Sequence, residues 1–187
     1  RERPPEQAPV RRPGPLPGQF LQSRQDDRRR LRQHRRPPFS DNFDNKAFNA
    51  HYTVIDANGD GKSWIQRSST TGGFGCSGMA DMAMDDWFLT PPVRLRAGHI
   101  YRLRVVAGAG YASKSPERFE VKWGKEPTVA AMTSTLIPAT DLTVSEDRTY
   151  TAWMRPDADG LYHVGVHGIS DPGSFRLDVN DIAIDGA

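Results

Sequence analysis

The sequence predicts an all-β fold, a sandwich or barrel of short strands running from about Pro38 to the C-terminus. Three observations carry this. In Arg118-Phe119-Glu120-Val121-Lys122-Trp123 the odd positions are apolar and the even ones charged, and His99 to Val106 repeats the pattern with Tyr101, Leu103 and Val105 opposite Arg102 and Arg104. Period-two alternation is the mark of a half-buried strand. Turn pairs recur between such runs, at Asn58-Gly59, Ala97-Gly98, Asp159-Gly160 and Pro172-Gly173. No stretch sustains a helical period, which sets aside a βαβ architecture.

Taken in order, the elements begin with an acidic strand start at Asp41-Asn42-Phe43-Asp44 and a strand leading into the acidic loop after Ile55. Further strands are expected near 64–68, 86–90, 99–106, 118–123, 140–145, 148–154, 161–167 and 174–184. Between them, Gly72-Gly73-Phe74-Gly75-Cys76-Ser77-Gly78 reads as a glycine-rich loop. In the last strand Phe175, Leu177 and Val179 are apolar at odd positions but Ile182 and Ile184 at even ones. A change of parity across Asn180-Asp181 predicts a β-bulge, which would turn Asp181 away from the regular faces.

Residues 1–37 have a different texture. Residues 1–40 hold 11 Arg, no Lys and 4 acids, a net +7, whereas 41–187 hold 14 basic and 19 acidic residues, a net −5. The first segment cannot bury enough apolar surface to offset its ordering entropy and is expected to be a disordered basic, Pro-rich linker or a non-domain segment. Its run from Arg28 to Arg36 would suit a polyanion, although a solvated linker is the commoner role of such blocks. The folded part is mildly acidic and lacks a basic stripe with interleaved aromatics, which argues against nucleic acid. No apolar run approaches the roughly 20 residues needed to span a bilayer, so no membrane insertion is expected. The chain opens on Arg, Glu and Pro and is expected to be a piece of a longer protein.

The most informative segment is Asp56-Ala57-Asn58-Gly59-Asp60-Gly61. Oxygen ligands at alternate positions of a tight loop can converge on one hard cation, and Ca²⁺ takes six to eight oxygens. The start fits the EF-hand pattern, but Arg67 stands at the twelfth position where a bidentate Glu is required, and the flanks read as strands. The other ligands must come from elsewhere, with Asp44 and Asp181 as donors. Turn formation without a metal accounts for the same residues.

Other candidates reduce to structural roles. Asp85 and Asp86 are adjacent on a strand and point to opposite faces, so they cannot converge on one glycosidic bond. His163 and His167 lie about 13 Å apart along a strand and cannot grip one metal unaided. Cys76, the single cysteine, has no recognisable base beside it. Met79, Met82 and Met84 read as core filler, and Trp123 goes with Phe119 and Val121 into the core. Trp153 is expected to face outward, because Ala152 and Met154 occupy the other face. With Tyr111 it is the candidate for stacking on a sugar ring.

The blocks Pro38–Asp44, Asp56–Gly61 with Trp64, Asp85–Val93, Ala97–Tyr101 and Asn180-Asp181-Ile182, in this order, resemble the cleaved-adhesin or choice-of-anchor J family over residues 38–184. These modules are similar to gingipain haemagglutinin-adhesin domains and, more distantly, to MAM-type jelly rolls. The resemblance implies a jelly-roll β-sandwich of the galactose-binding-like kind, export to the cell surface or medium, and neighbouring domains in a longer chain. It also implies structural Ca²⁺ on Asp44, Asp56, Asn58, Asp60 and Asp181. Asn180 stands where the family usually has a second aspartate, so the cation is expected to be held more weakly. The function expected is a non-catalytic module binding a glycan or a host surface or matrix protein. The alternative is a spacer beside a catalytic domain.

Overall fold

The structure, a computed structural model, describes residues 37–67 and 73–186; the basic linker expected at 1–37 lies outside them apart from its last residue. Among the described residues twelve strands are formed: β1 (Phe39–Asp41), β2 (Thr53–Asp56), β3 (Ile65–Gln66), β4 (Phe74–Ser77), β5 (Asp86–Leu89), β6 (Val93–Leu95), β7 (Tyr101–Ala109), β8 (Glu117–Gly124), β9 (Ser134–Leu142), β10 (Arg148–Met154), β11 (Gly160–Gly168) and β12 (Arg176–Gly186). A single helical turn, α1 (Lys46–Asn49), and a 3-10 turn at Val129–Ala131 are the helical pieces among the described residues.

The strands form two antiparallel sheets of a jelly-roll sandwich. One runs β10-β7-β12-β4-β3, with β1 beside the C-terminal half of β12. The other runs β2-β5-β11-β8-β9, with β6 beside the start of β11. Each sheet thus has one long central strand, β12 or β11, shared along one edge by two short strands. The first and last strands are neighbours, with Phe39 opposite Ile184, so ordinary pairing joins the ends of the module.

The alternation read from sequence decides which residues meet. Leu103, Val105 and Ala107 of β7, Phe119 and Val121 of β8, Val164 and Val166 of β11, and Leu177, Val179, Ile182 and Ile184 of β12 are all buried in one core. The register of β12 against β7 slips between Val179 and Asp181, leaving Asn180 as the extra residue. That is the expected bulge, and it lets Val179 and Ile182 both face inward.

Three expectations need correction. The glycine-rich segment is not a loop around Cys76: Phe74–Ser77 is strand β4, paired to β12 and buried from Phe74 to Cys76. Glycine is needed here because backbone and side chains approach closely; a side chain at Gly73, where φ is +85°, would overlap Asn180. The strand expected at 140–145 is instead β9, which starts at Ser134 and ends at Leu142. Pro138 within it is tolerated because β9 is an edge strand. The methionines divide: Met84 is core, whereas Met82 is 38 % exposed.

One aromatic cluster bears directly on the site. Phe43, Tyr52, Trp64, Phe74 and Phe88 pack with ring centroids 4.8–6.1 Å apart, mostly edge-on. Phe43 has a positive φ of 62°, a strained state for a bulky residue. The surroundings hold it. Its N–H donates to Asp41 Oδ1 (2.8 Å), and its carbonyl accepts from Asn49 Nδ2 (3.0 Å) and Gln66 Nε2 (2.9 Å).

Candidate metal centre and binding surfaces

The acidic loop joins the edge of one sheet to the edge of the other, since β2 borders one and β3 the other. Its backbone winds around its own carboxylates. Asp56 Oδ1 accepts from the N–H of Gly59 (2.7 Å) and Asp60 (3.3 Å), and Oδ2 from that of Gly61 (2.9 Å). Asn58 Oδ1 accepts from the Asp60 N–H (3.2 Å), and Asp60 Oδ1 from the Lys62 N–H (2.7 Å). Gly59 and Gly61 take φ of 71° and 79°, which the tight winding requires. Two bonds dock the loop on the neighbouring segment: Asn58 Nδ2 to the Ala83 carbonyl (2.8 Å) and the Ala57 N–H to the Asp85 carbonyl (2.9 Å).

The third carboxylate is Asp86, at the head of β5. It lies opposite Asp56 in the β2–β5 pairing, and one oxygen each of Asp56, Asp60 and Asp86 lie within 4.8 Å of one another. Asp86 is only 1 % exposed, and neither of its oxygens has a hydrogen-bond partner. Only weak help reaches it, from the buried Cys76 thiol, a poor donor, and from the Asp85 backbone. Burial pushes the Asp86 carboxyl up to about 6, with the negative charges of Asp60 and Asp56 adding to it. The same environment, burial first and Asp86 next, pushes the Cys76 thiol far above its ordinary value, so this cysteine is not a thiolate nucleophile. An orphaned, buried carboxylate facing two others is costly unless a cation or a proton meets it. The donors are hard oxygens, the set that suits a divalent ion of the Ca²⁺ or Mg²⁺ kind.

Of the five expected ligands, Asp56 and Asp60 come together and Asn58 belongs to the same loop. Asp44 and Asp181 stand outside the cluster. Asp44 Oδ2 accepts from Asn42 Nδ2 (2.6 Å). Asp181 pairs with Arg104 (3.3 Å), because the bulge absorbs Asn180 and leaves Asp181 in line with Asp185 on the outer face. Sequence reasoning gave Asp86 no ligand role. Its parity with Phe88 was the available signal, since the inward face of Asp86-Trp87-Phe88-Leu89 begins with a carboxylate. The opposite-face argument itself holds: Asp85 Oδ1 lies 2.6 Å from His167 Nε2, on the other side from Asp86. His167 Nδ1 lies 2.9 Å from Glu120 Oε1, and the ring stacks on Trp87 at 3.9 Å. His163 Nδ1 is 2.7 Å from the Thr90 carbonyl.

Trp153 stands 61 % exposed on β10, opposite Arg102 of β7. Beside it run two cross-strand ion pairs, Arg102–Asp185 (3.2 Å) and Arg104–Asp181 (3.3 Å). Tyr111, 45 % exposed, packs edge-on against the exposed Phe175 at 6.2 Å, with Lys114 Nζ 5.3 Å from its ring. Trp123 is only partly buried. It stacks on Tyr162 at 5.0 Å and lines a cleft at the end of the sandwich. The core role expected of it holds for one side of the ring.

No protein-family model matches the chain, and no curated protein matches it by sequence. Among solved structures, the chain is similar in fold to the K1 cleaved adhesin domain of Lys-gingipain from Porphyromonas gingivalis, with a TM-score of 0.64 at 16 % identity over 80 % of this chain and 98 % of that one. The K3 cleaved adhesin domain of the same protein gives 0.60 at 15 % identity, covering 73 % and 91 %. The CBM22-1 xylan-binding domain of Paenibacillus barcinonensis Xyn10C gives 0.56 at 8 % identity, covering 81 % and 95 %. The fold is therefore the sandwich shared by cleaved adhesin domains and carbohydrate-binding modules.

Proposed function

We propose that residues 38–187 are a non-catalytic binding module of a secreted or cell-surface multidomain protein, joined to its neighbours by the basic segment 1–37. Its ligand is a glycan or a host surface protein. A structural Ca²⁺ on Asp56, Asp60 and Asp86, with Asn58 beside them, fixes the loop that joins the edges of the two sheets. The observation that carries the binding role is Trp153. A large aromatic ring held out on an outer sheet face, beside two cross-strand Arg–carboxylate pairs, suits a stacked sugar or a protein surface. Orphaned Asp86 carries the metal. The related folds include a xylan-binding domain and adhesin domains, which fits either ligand class.

An array of glycans and matrix proteins tests the binding role. Binding by the wild type that is lost in Trp153→Ala, with an unchanged melting curve, supports it. Silence across the array favours a spacer, and turnover of any glycan by the module alone would overturn the non-catalytic assignment.

A further inference from the structure

We infer that the cleft between the β8–β9 and β10–β11 connections is a second carbohydrate site, seating one neutral pyranose unit of a polysaccharide on Trp123. The inference rests on the reading of the chain as a glycan-binding module, and it adds a site that does not include Trp153 or Tyr111.

The cleft has a volume of about 490 Å³ and is lined chiefly by Trp123, Tyr162, Lys125, Glu126, Arg155 and Asp157. That is within the roughly 300–1,000 Å³ of small-ligand sites. Its floor is a pair of rings stacked at 26°. Tyr162 is nearly buried, at 4 % exposure, and Trp123 is the more open of the two. The walls are set in advance of any ligand. The Tyr162 hydroxyl donates to the Ala158 carbonyl (2.8 Å) and lies 3.1 Å from Asp157 Oδ1, fixing the β10–β11 connection over the ring. Lys125 Nζ reaches Asp157 (3.5 Å) from the opposite wall and stands 5.6 Å from the centre of the Tyr162 ring. Gly124 lets the 3-10 turn close in beneath, because any side chain there would overlap the Ala131 carbonyl.

The rim selects the occupant. It carries two cations, Lys125 and Arg155, and two carboxylates, Glu126 and Asp157. An anionic ligand would meet the carboxylates and a cationic one the Lys and Arg, whereas an apolar peptide would strip water from four charges. A neutral sugar has an apolar C–H face for the indole and a ring of hydroxyls that both donate and accept. The donors of Arg155 and Lys125 and the acceptors of Asp157 and Glu126 match that ring.

The test is affinity electrophoresis of the full chain through gels holding neutral polysaccharides (xylan, mixed-linkage glucan, mannan) or anionic ones (polygalacturonate, heparin). Retardation by at least one neutral polymer and by neither anionic one is expected. Trp123→Ala should weaken it by about tenfold or more. Because Trp123 also touches the core, Asp157→Ala and Arg155→Ala on the exposed rim serve as second variants, each expected to weaken retardation with an unchanged melting curve. Trp153→Ala should leave retardation by this site in place. Retardation lost in Trp153→Ala but kept in the Trp123, Arg155 and Asp157 variants would overturn the cleft while leaving the module reading intact. Failure of every neutral polymer to retard the wild type would overturn the cleft, and the array of glycans and matrix proteins would then decide the module reading separately.

Discussion

Replacing Asp86 by Asn separates the metal from the fold with opposite signs. In metal-free protein Asp86 is ionised at pH 7 although its folded value lies near 6 against an ordinary 3.8. A folded value raised above the unfolded one means that stability is fully present below about pH 3.8 and is lost as pH rises through 6. At pH 7 the loss comes to about 3 kcal/mol for this nearly inaccessible side chain. An amide has no charge to desolvate, and its NH₂ can donate to Asp56 or Asp60. Asp86→Asn should therefore raise the melting temperature of chelator-treated protein by roughly 6–12 °C at pH 7, with little gain at pH 4. A calcium ion bound as proposed should act the other way. At a hundred times its Kd it should stabilise the wild type by about 2.7 kcal/mol, and this response should vanish in the variant. Calorimetric scans with EGTA and with millimolar Ca²⁺, at pH 4 and pH 7, read all these outcomes. If Asp86→Asn lowers the chelated melting temperature at pH 7, or keeps the calcium response, the assignment of Asp86 as an orphaned ligand is wrong.

Other expectations follow from the packing. Glu117 is fully buried; its Oε1 accepts from the N–H of Phe175 (2.8 Å) and Arg176 (2.7 Å), and its Oε2 from Ser170 Oγ (2.6 Å), so it fastens one sheet to the start of β12. Burial raises its pKa and these donors lower it, the burial prevailing. Glu117→Gln keeps an acceptor for both backbone donors and should cost about 1 kcal/mol, whereas Glu117→Ala strands three donors and should cost about 3 kcal/mol or more by urea denaturation. Phe88→Ala removes the centre of the aromatic cluster beneath the acidic loop and should cost about 3–5 kcal/mol in the same assay. Gly98 and Gly73 both have positive φ, but only Gly73 is crowded. Gly98→Ala should lower stability by about 1 kcal/mol and Gly73→Ala by clearly more, judged from paired denaturation midpoints. Arg118→Ala removes an ion pair with Asp141 at an exposed position and should leave the midpoint unchanged.

The all-β class was legible because alternation is a local property: each of β7, β8, β10 and the two halves of β12 states its inward face in its own residues. The bulge at Asn180 was legible for the same reason, as a break in parity that only an extra residue repairs. The winding of Asp56–Gly61 was equally local, being written in alternating oxygens and glycines. Strand β4 was not, since its alternation of Phe74 and Cys76 with Gly75 and Ser77 is only four residues long and set among glycines, and it reads as a strand only once β12 lies beside it, close enough to leave Gly75 no room for a side chain. Pairing between residues tens of positions apart decided the rest. It set Asp86 against Asp56, sent Asp181 to Arg104 on the outer face, and opened one side of Trp123 to a cleft built by two distant connections. Residue type and period determine what a segment can bury. Which carboxylates share a cavity is a matter of sheet register, and no single segment carries that information.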